Sequence, residues 1–208
     1  MPELIHYHAP QTRSSAILWL MEELGAKRET RVLNLKKAEH KEPWYLKINP
    51  MGKVPAITHG GVAVTEVPAI AMYLADALPE AKLAPSTTDT ARGTYLRWLV
   101  FNSACVEPAL IDRALKREGG NPSMLPYGDA DSTIDALAGA LAKGPYILGE
   151  AFSAADVVIG SGVRWMLMFK LLPDRPEFTG YVERLLLRPA LKRAMAMDEA
   201  YTAQQSAA

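Results

Sequence analysis

A single cysteine, Cys105, stands in 208 residues. That excludes an intramolecular disulfide, an all-cysteine metal centre and the C-x-x-C dithiol of a thioredoxin-type reductase. Net charge is missing too, since 23 basic residues balance 23 acidic ones. Without a basic excess, neither nucleic acid nor an anionic membrane surface is an expected partner. No window approaches the ~20 apolar residues of a membrane span. Met1-Pro2-Glu3-Leu4-Ile5-His6 has neither the basic start nor the apolar run of a signal peptide. The expectation is a cytoplasmic protein with no metal.

What is present is apolar and patterned. Hydrophobic residues make up 49% and charged ones 22%, enough for one compact unit or two small domains. Up to residue 79 the chain alternates short strands with helices. Leu4 to Tyr7 reads as strand, and Ser14 to Leu24 as a helix closed by Gly25. Arg31 to Leu35 reads as a second strand, Pro43 to Leu46 as a helical turn. Strands over Val54 to Thr58 and Val62 to Val64 flank a turn at Gly60-Gly61, and a helix runs from Pro68 to Leu78. Pro79 to Asp89 is linker-like, with Pro79, Pro85, Ser86, Thr87 and Thr88.

Beyond the linker every long segment reads helical. Thr90 to Arg117 carries Tyr95, Trp98, Leu99, Asn102 and Val106 at steps of three or four, with a kink expected at Pro108. Gly119 to Pro122 reads as a loop and Asp131 to Ala142 as a helix. Gly144 to Gly149 reads as an extended connection. Ser153-Ala154-Ala155-Asp156 has the pattern of a capping box opening a buried helix over Val157 to Met168, and the last helix begins at Arg188-Pro189-Ala190. The expected fold is α/β plus all-α: a thioredoxin-like domain of order βαβ-ββα over residues 1–79, then an all-helical domain over residues 88–208.

Two runs carry the functional signal: Asn49-Pro50-Met51-Gly52-Lys53-Val54-Pro55-Ala56-Ile57 and Thr65-Glu66-Val67-Pro68-Ala69-Ile70. A Val-Pro step precedes a strand, a hairpin follows, and an acidic residue stands at the mouth of a helix. With the N-terminal strand-loop-helix and the Ser153–Asp156 box, this order resembles the glutathione S-transferase family over nearly the whole chain. The features are those of a bacterial-type member with theta- and beta-class traits. The resemblance implies a transferase of detoxification that joins the thiol of glutathione to a small hydrophobic electrophile, or runs a related peroxidase or reductase reaction. The alternative is a non-catalytic member of the fold that binds ligands or proteins.

The same resemblance implies residue roles. Glu66 holds the γ-glutamyl ammonium. A cis Val54-Pro55 bond turns the Val54 amide and carbonyl outward to pair with the cysteinyl part like an added strand. His40 and Lys53 meet the glycyl carboxylate, with Lys37 and Lys41 able to share that task. Most members carry Ser or Thr after the acid, whereas Val67 offers only its backbone N–H. The family also implies a two-fold homodimer around the helices Pro68–Leu78 and Thr90–Arg117.

The group that activates the thiol stays open at this stage. Counting back from Gly25, Tyr7 takes the place of the tyrosine of the tyrosine-type classes. The serine of the serine-type classes falls on Gln11 and the cysteine of the beta class on Arg13. Thr12 and Ser14 are hydroxyl candidates, and Arg13 can stabilise a thiolate by charge. Against these stand plainer roles: Tyr7 as a packed strand aromatic, Ser14 as a helix cap. The electrophile is expected against Tyr95, Trp98, Phe101, Asn102 and Cys105, although aromatics at helical spacing are more often core.

Overall fold

The computed structural model describes residues 3–117 and 120–207, and it divides into two compact units. The first comprises residues up to Ala81 together with Arg188 onward; the second runs from Lys82 to Leu187. Gly119, placed in a loop by the sequence, lies outside the described residues.

The first unit is built on a four-stranded sheet of order β2-β1-β3-β4, with β1 Leu4–His8, β2 Glu29–Val32, β3 Ala56–His59 and β4 Val62–Thr65. β1 pairs parallel with β2 and antiparallel with β3. Strand alternation sends Ile5 and Tyr7 to one face, where they pack with Leu33, Tyr45 and Ala56. His6 and His8 go to the other face. β2 is shifted from the expected 31–35. Leu33 N makes a last bond to His8 O (2.7 Å), after which the Asn34 side chain accepts from Lys36 N and Lys37 N and turns the chain away.

Helix α1 (Ser14–Leu24) ends where the sequence placed its end, at a left-handed Gly25. Its apolar residues Ile17, Leu18, Leu20 and Met21 are fully buried. α2 (Pro43–Leu46) is a single turn, and α3 (Val67–Ala77) follows β4 directly. The last helix of the chain, Pro189–Ala207, packs on α1 within this first unit.

The second unit is helical: α4 (Ala91–Phe101), α5 (Glu107–Ala114), α6 (Ala130–Leu141), α7 (Ala154–Met168) and α8 (Pro176–Leu186), so that the last helix is α9. The long helix read over Thr90 to Arg117 is divided. A π-helical segment, Asn102–Val106, separates α4 from α5, and Pro108 sits at the start of α5. Proline has no N–H to donate and its ring crowds the carbonyl four residues back, so the wider turn just before it accommodates both. α5 stops at Ala114, where Lys116 turns left-handed. Gly144–Gly149 is a turn rather than an extended link: Tyr146 and Gly149 exchange backbone bonds of 2.9 and 3.0 Å. α8 was not singled out in the sequence.

The capping box forms as expected. Ser153 N donates to Asp156 Oδ2 (2.9 Å), while Ile147 N (2.7 Å) and Tyr181 Oη (2.9 Å) donate to Oδ1. Burial pushes the Asp156 pKa up despite these donors. Among the described residues no helix is long and apolar enough to cross a membrane, and no group of three His, Cys, Asp or Glu is placed to hold a metal.

Candidate functional site

The site is assembled from the loop before β3 and the entry to α3. The Val54-Pro55 bond is cis. Tyr45 Oη (2.5 Å) and Asn49 Nδ2 (2.8 Å) both donate to Lys53 O, and Asn49 Oδ1 accepts from Met51 N. These bonds fix the loop that delivers Lys53 and Val54. Gly52 has φ +58, and a Cβ there would lie 2.8 Å from His40 O, so only glycine fits. Neither the Val54 amide nor its carbonyl has a hydrogen bond among the described residues.

β3 and β4 pair Ala56 with Thr65, which brings Val54 and Glu66 to the same end of the hairpin. Glu66 has φ 67 and ψ 122, a backbone that costs a residue with a side chain roughly 1–3 kcal/mol. Its carbonyl accepts the first helical bond, from Ile70 N (2.9 Å), so the Val67 and Ala69 N–H groups have no partner in the helix. The Glu66 carboxylate is exposed and makes no ion pair among the described residues. The result is one edge that offers a carboxylate, two helix-start N–H groups and a free peptide unit. It can hold a zwitterionic peptide: ammonium on Glu66, carboxylate at the helix start, backbone on Val54.

His40 is half-buried in a short turn, Glu39–Lys41, with Nδ1 unpartnered among the described residues. Lys53 is exposed with no side-chain bond among the described residues. Lys41 differs, since its ammonium donates to Met51 O (3.2 Å) and braces the loop.

The candidates for the thiol partner have distinct surroundings. Tyr7 is 3% exposed, with ring centroids 5.7 Å from Tyr45 and 6.2 Å from Trp44. Thr12 is half-buried; its Oγ1 donates to Ala9 O (2.7 Å) and accepts from Ser14 N (3.1 Å). Arg13 is exposed and occupies the N-cap position of α1. Ser14 is not the helix cap that its residue type suggested. It is fully buried, and its Oγ lies 3.0 Å from His6 Nε2 and 2.9 Å from His8 Nδ1. The two histidines compete with the helix end for this hydroxyl and win it.

In the second unit Tyr95, Trp98 and Asn102 are buried, and the Arg97 guanidinium lies 4.2 Å from the Trp98 ring centroid. Cys105 Sγ points to Pro126 O (3.5 Å), and burial pushes its thiol pKa up, which keeps it a weak nucleophile. Sequence reasoning missed Tyr45 and Asn49 as braces of the site. The only local hint was Asn49 opening an Asn-Pro turn.

The chain is similar to known glutathione transferases. Residues 2–76 match the family model "Glutathione S-transferase, N-terminal domain". Glutathione S-transferase A of Pleuronectes platessa is 27% identical over 181 residues, covering 78% of this chain and 77% of that protein. Among solved structures, a glutathione transferase from Methylococcus capsulatus strain Bath superposes with TM-score 0.79 at 27% identity, covering 95% of this chain and 99% of its own. A sphingomonad glutathione S-transferase complexed with glutathione gives TM-score 0.77 at 26% identity, over 94% of this chain and 98% of that one.

Proposed function

From the premise that this chain belongs to the glutathione S-transferase family and is a glutathione transferase, we propose that it is a cytoplasmic, homodimeric enzyme of detoxification. It conjugates the glutathione thiol to a small hydrophobic electrophile. Glutathione lies along the edge from Lys53 to Val67. Glu66 takes the ammonium, Val67 N–H meets the γ-glutamyl carboxylate, Val54 pairs with the cysteinyl backbone, and His40 and Lys53 meet the glycyl carboxylate. The observation that carries this reading is the set of polar groups unpaired among the described residues at one end of the β3–β4 hairpin: the Val54 amide and carbonyl and the Glu66 carboxylate.

The sulfur sits at the N-terminal end of α1, beside Thr12 and Arg13. Tyr7 and Ser14 serve packing and the buried network instead, which their burial supports. A free thiol titrates near ~8.5. The positive end of α1 and the Arg13 guanidinium favour the thiolate, and lowering its pKa by ~2 units takes about 2.7 kcal/mol. The thiol proton leaves to solvent, the sulfur forms a bond to the electrophilic carbon, and any leaving group departs with its electron pair. Because nucleophilicity falls with pKa, alignment of the thiolate supplies much of the acceleration.

Calorimetry with glutathione, joined to ultraviolet titration of the bound thiol, tests both halves. Glu66→Ala is expected to weaken binding at least tenfold, since a hydrogen bond to a charged group is worth about 1.5–3 kcal/mol. Arg13→Ala and Thr12→Ala are expected to raise the bound thiol's pKa with a smaller change in affinity. Wild-type affinity in Glu66→Ala would overturn the binding reading. Unchanged titration in both other variants would overturn the thiolate assignment.

A further inference from the structure

A polar chain, buried at His6, His8 and Ser14 and half-buried at Asp198, ties the last helix to the loop before α1. On α9, Asp198 takes three contacts from the first strand, loop and helix. Gln11 N donates to Oδ2 (2.9 Å) and Ser15 Oγ to Oδ1 (2.9 Å). His8 Nε2 lies 3.0 Å from Oδ1, within reach of the charge. On its other side His8 meets Ser14, which meets His6. His8 Nε2 makes a close charge contact with Asp198 but no hydrogen bond of good geometry among the described residues, while His8 Nδ1 lies within hydrogen-bond distance of Ser14 Oγ. His6 meets Ser14 Oγ through Nε2, and its Nδ1 has no partner among the described residues. The order Asp198–His8–Ser14 has the connectivity of a hydrolytic triad. Ser14 is 0% exposed, however, so no substrate reaches it and the chain cannot act as one.

Its geometry serves the loop instead. Gln11 is held left-handed (φ 57), a conformation unfavourable for glutamine, and the bond to Asp198 secures it. Gln11 and Ser15 flank Thr12, Arg13 and Ser14, so one carboxylate grips the segment at both ends. α9 also walls a groove of about 180 Å³ through Thr202, Gln205 and Ser206, opposite Pro10 and Gln11. Burial opposes ionisation of Asp198, but the contacts from His8, Gln11 and Ser15 outweigh it and keep the carboxyl below its usual pKa, charged at neutral pH.

We propose that Asp198 is a positioning residue for the glutathione thiolate, locking the Gln11–Ser15 segment that presents Thr12 and Arg13 to the sulfur. The inference rests on the thiolate site given above. Asp198→Asn discriminates well, because it keeps the size and one acceptor while presenting an NH2 group or an unmet donor to the loop.

The experiment measures glutathione affinity by calorimetry, bound-thiol titration by ultraviolet absorbance and kcat/KM on a generic aromatic electrophile. Wild type, Asp198→Asn, Ser15→Ala and, as an exposed control on the same helix, Glu199→Gln are compared. In Asp198→Asn the bound thiol's pKa is expected to rise by about one unit. Its kcat/KM falls about fivefold at pH 6.5 and much less at pH 9, with affinity within about threefold. Ser15→Ala shows a smaller shift the same way, and Glu199→Gln none. If Asp198→Asn does not fold, the Ser15→Ala shift alone decides. A folded Asp198→Asn with a wild-type titration overturns the proposal, as does an unshifted Ser15→Ala where it must decide. If the wild-type thiol itself titrates like free glutathione, the functional reading fails and this inference falls with it.

Discussion

His6 shows how one buried side chain sets a pH dependence. Its pKa is held well below 6.5, first by burial and then by neighbouring His8 and Arg28, so it is neutral when folded. The unfolded chain takes up a proton there as pH falls through 6.5, so the unfolded state binds more protons in that window. Stability contributed by this residue is therefore lost as pH drops from 6.5 toward the folded pKa, at up to about 1.4 kcal/mol per pH unit. Asp198 acts lower. Its folded pKa is below 3.8, so its contribution is complete above that value and lost as pH falls beneath it. His6→Gln is expected to flatten the dependence of the urea midpoint between pH 7.5 and 5 while keeping the loss below pH 4. An unaltered slope would remove His6 from this role. Strand alternation alone puts His6 and His8 on one face and Tyr7 on the other. What each face meets is not legible locally, and so the aromatic packing of Tyr7 and the double use of Ser14 became clear only from the structure.

At the level of elements, α9 is held to α1 by charge as well as packing. Arg188 makes a bidentate pair with Glu23 at 2.6 and 2.8 Å, and Trp19 Nε1 donates to the same carboxylate (2.9 Å). Glu22 takes Arg193 (2.8 Å) and Arg28 (3.0 Å); burial works against its ionisation, but these guanidinium groups pull its pKa below the usual range. Glu23 is 8% exposed and Arg188 25%, so the pair is only partly desolvated. Glu23→Ala is expected to loosen α9 by roughly 2 kcal/mol, less than the 3–5 kcal/mol typical when a fully buried pair loses one member. Hydrogen exchange checks this: the amides of residues 189–207 should exchange about 30-fold faster, with β1 and β3 little changed. Equal protection in the variant would show that apolar packing alone holds α9. The helix itself was legible from Arg188-Pro189-Ala190, but its docking was not, because Glu22 and Glu23 look like ordinary solvent-facing helix acids beside Gly25.

At the scale of the molecule, Met51 and Val62 are about two-thirds exposed on the first unit, which is consistent with a proposed homodimer. Light scattering at micromolar concentration is expected to give twice the 22.8 kDa chain mass; a single-chain mass would refute it. The sequence by itself determined what depends on residues within a few positions of each other. Strand alternation, the left-handed end of α1 at Gly25, the box from Ser153 to Asp156 and the Glu66 entry to α3 all rest on local backbone sterics and hydrogen-bond satisfaction. Those rules also shifted β2 through Asn34, which the sequence carried but did not announce, and divided the long helix just before Pro108, where a kink was expected. Only the tertiary structure decided which distant groups share a proton network. Gln11 meets a carboxylate 187 residues later. Nothing near Asp198 distinguishes it from an exposed helix aspartate, because its environment is created by the packing of α9 on α1. Burial, charge state and partner are properties of that packing, so the grip on the loop before α1 exists only once the chain has folded.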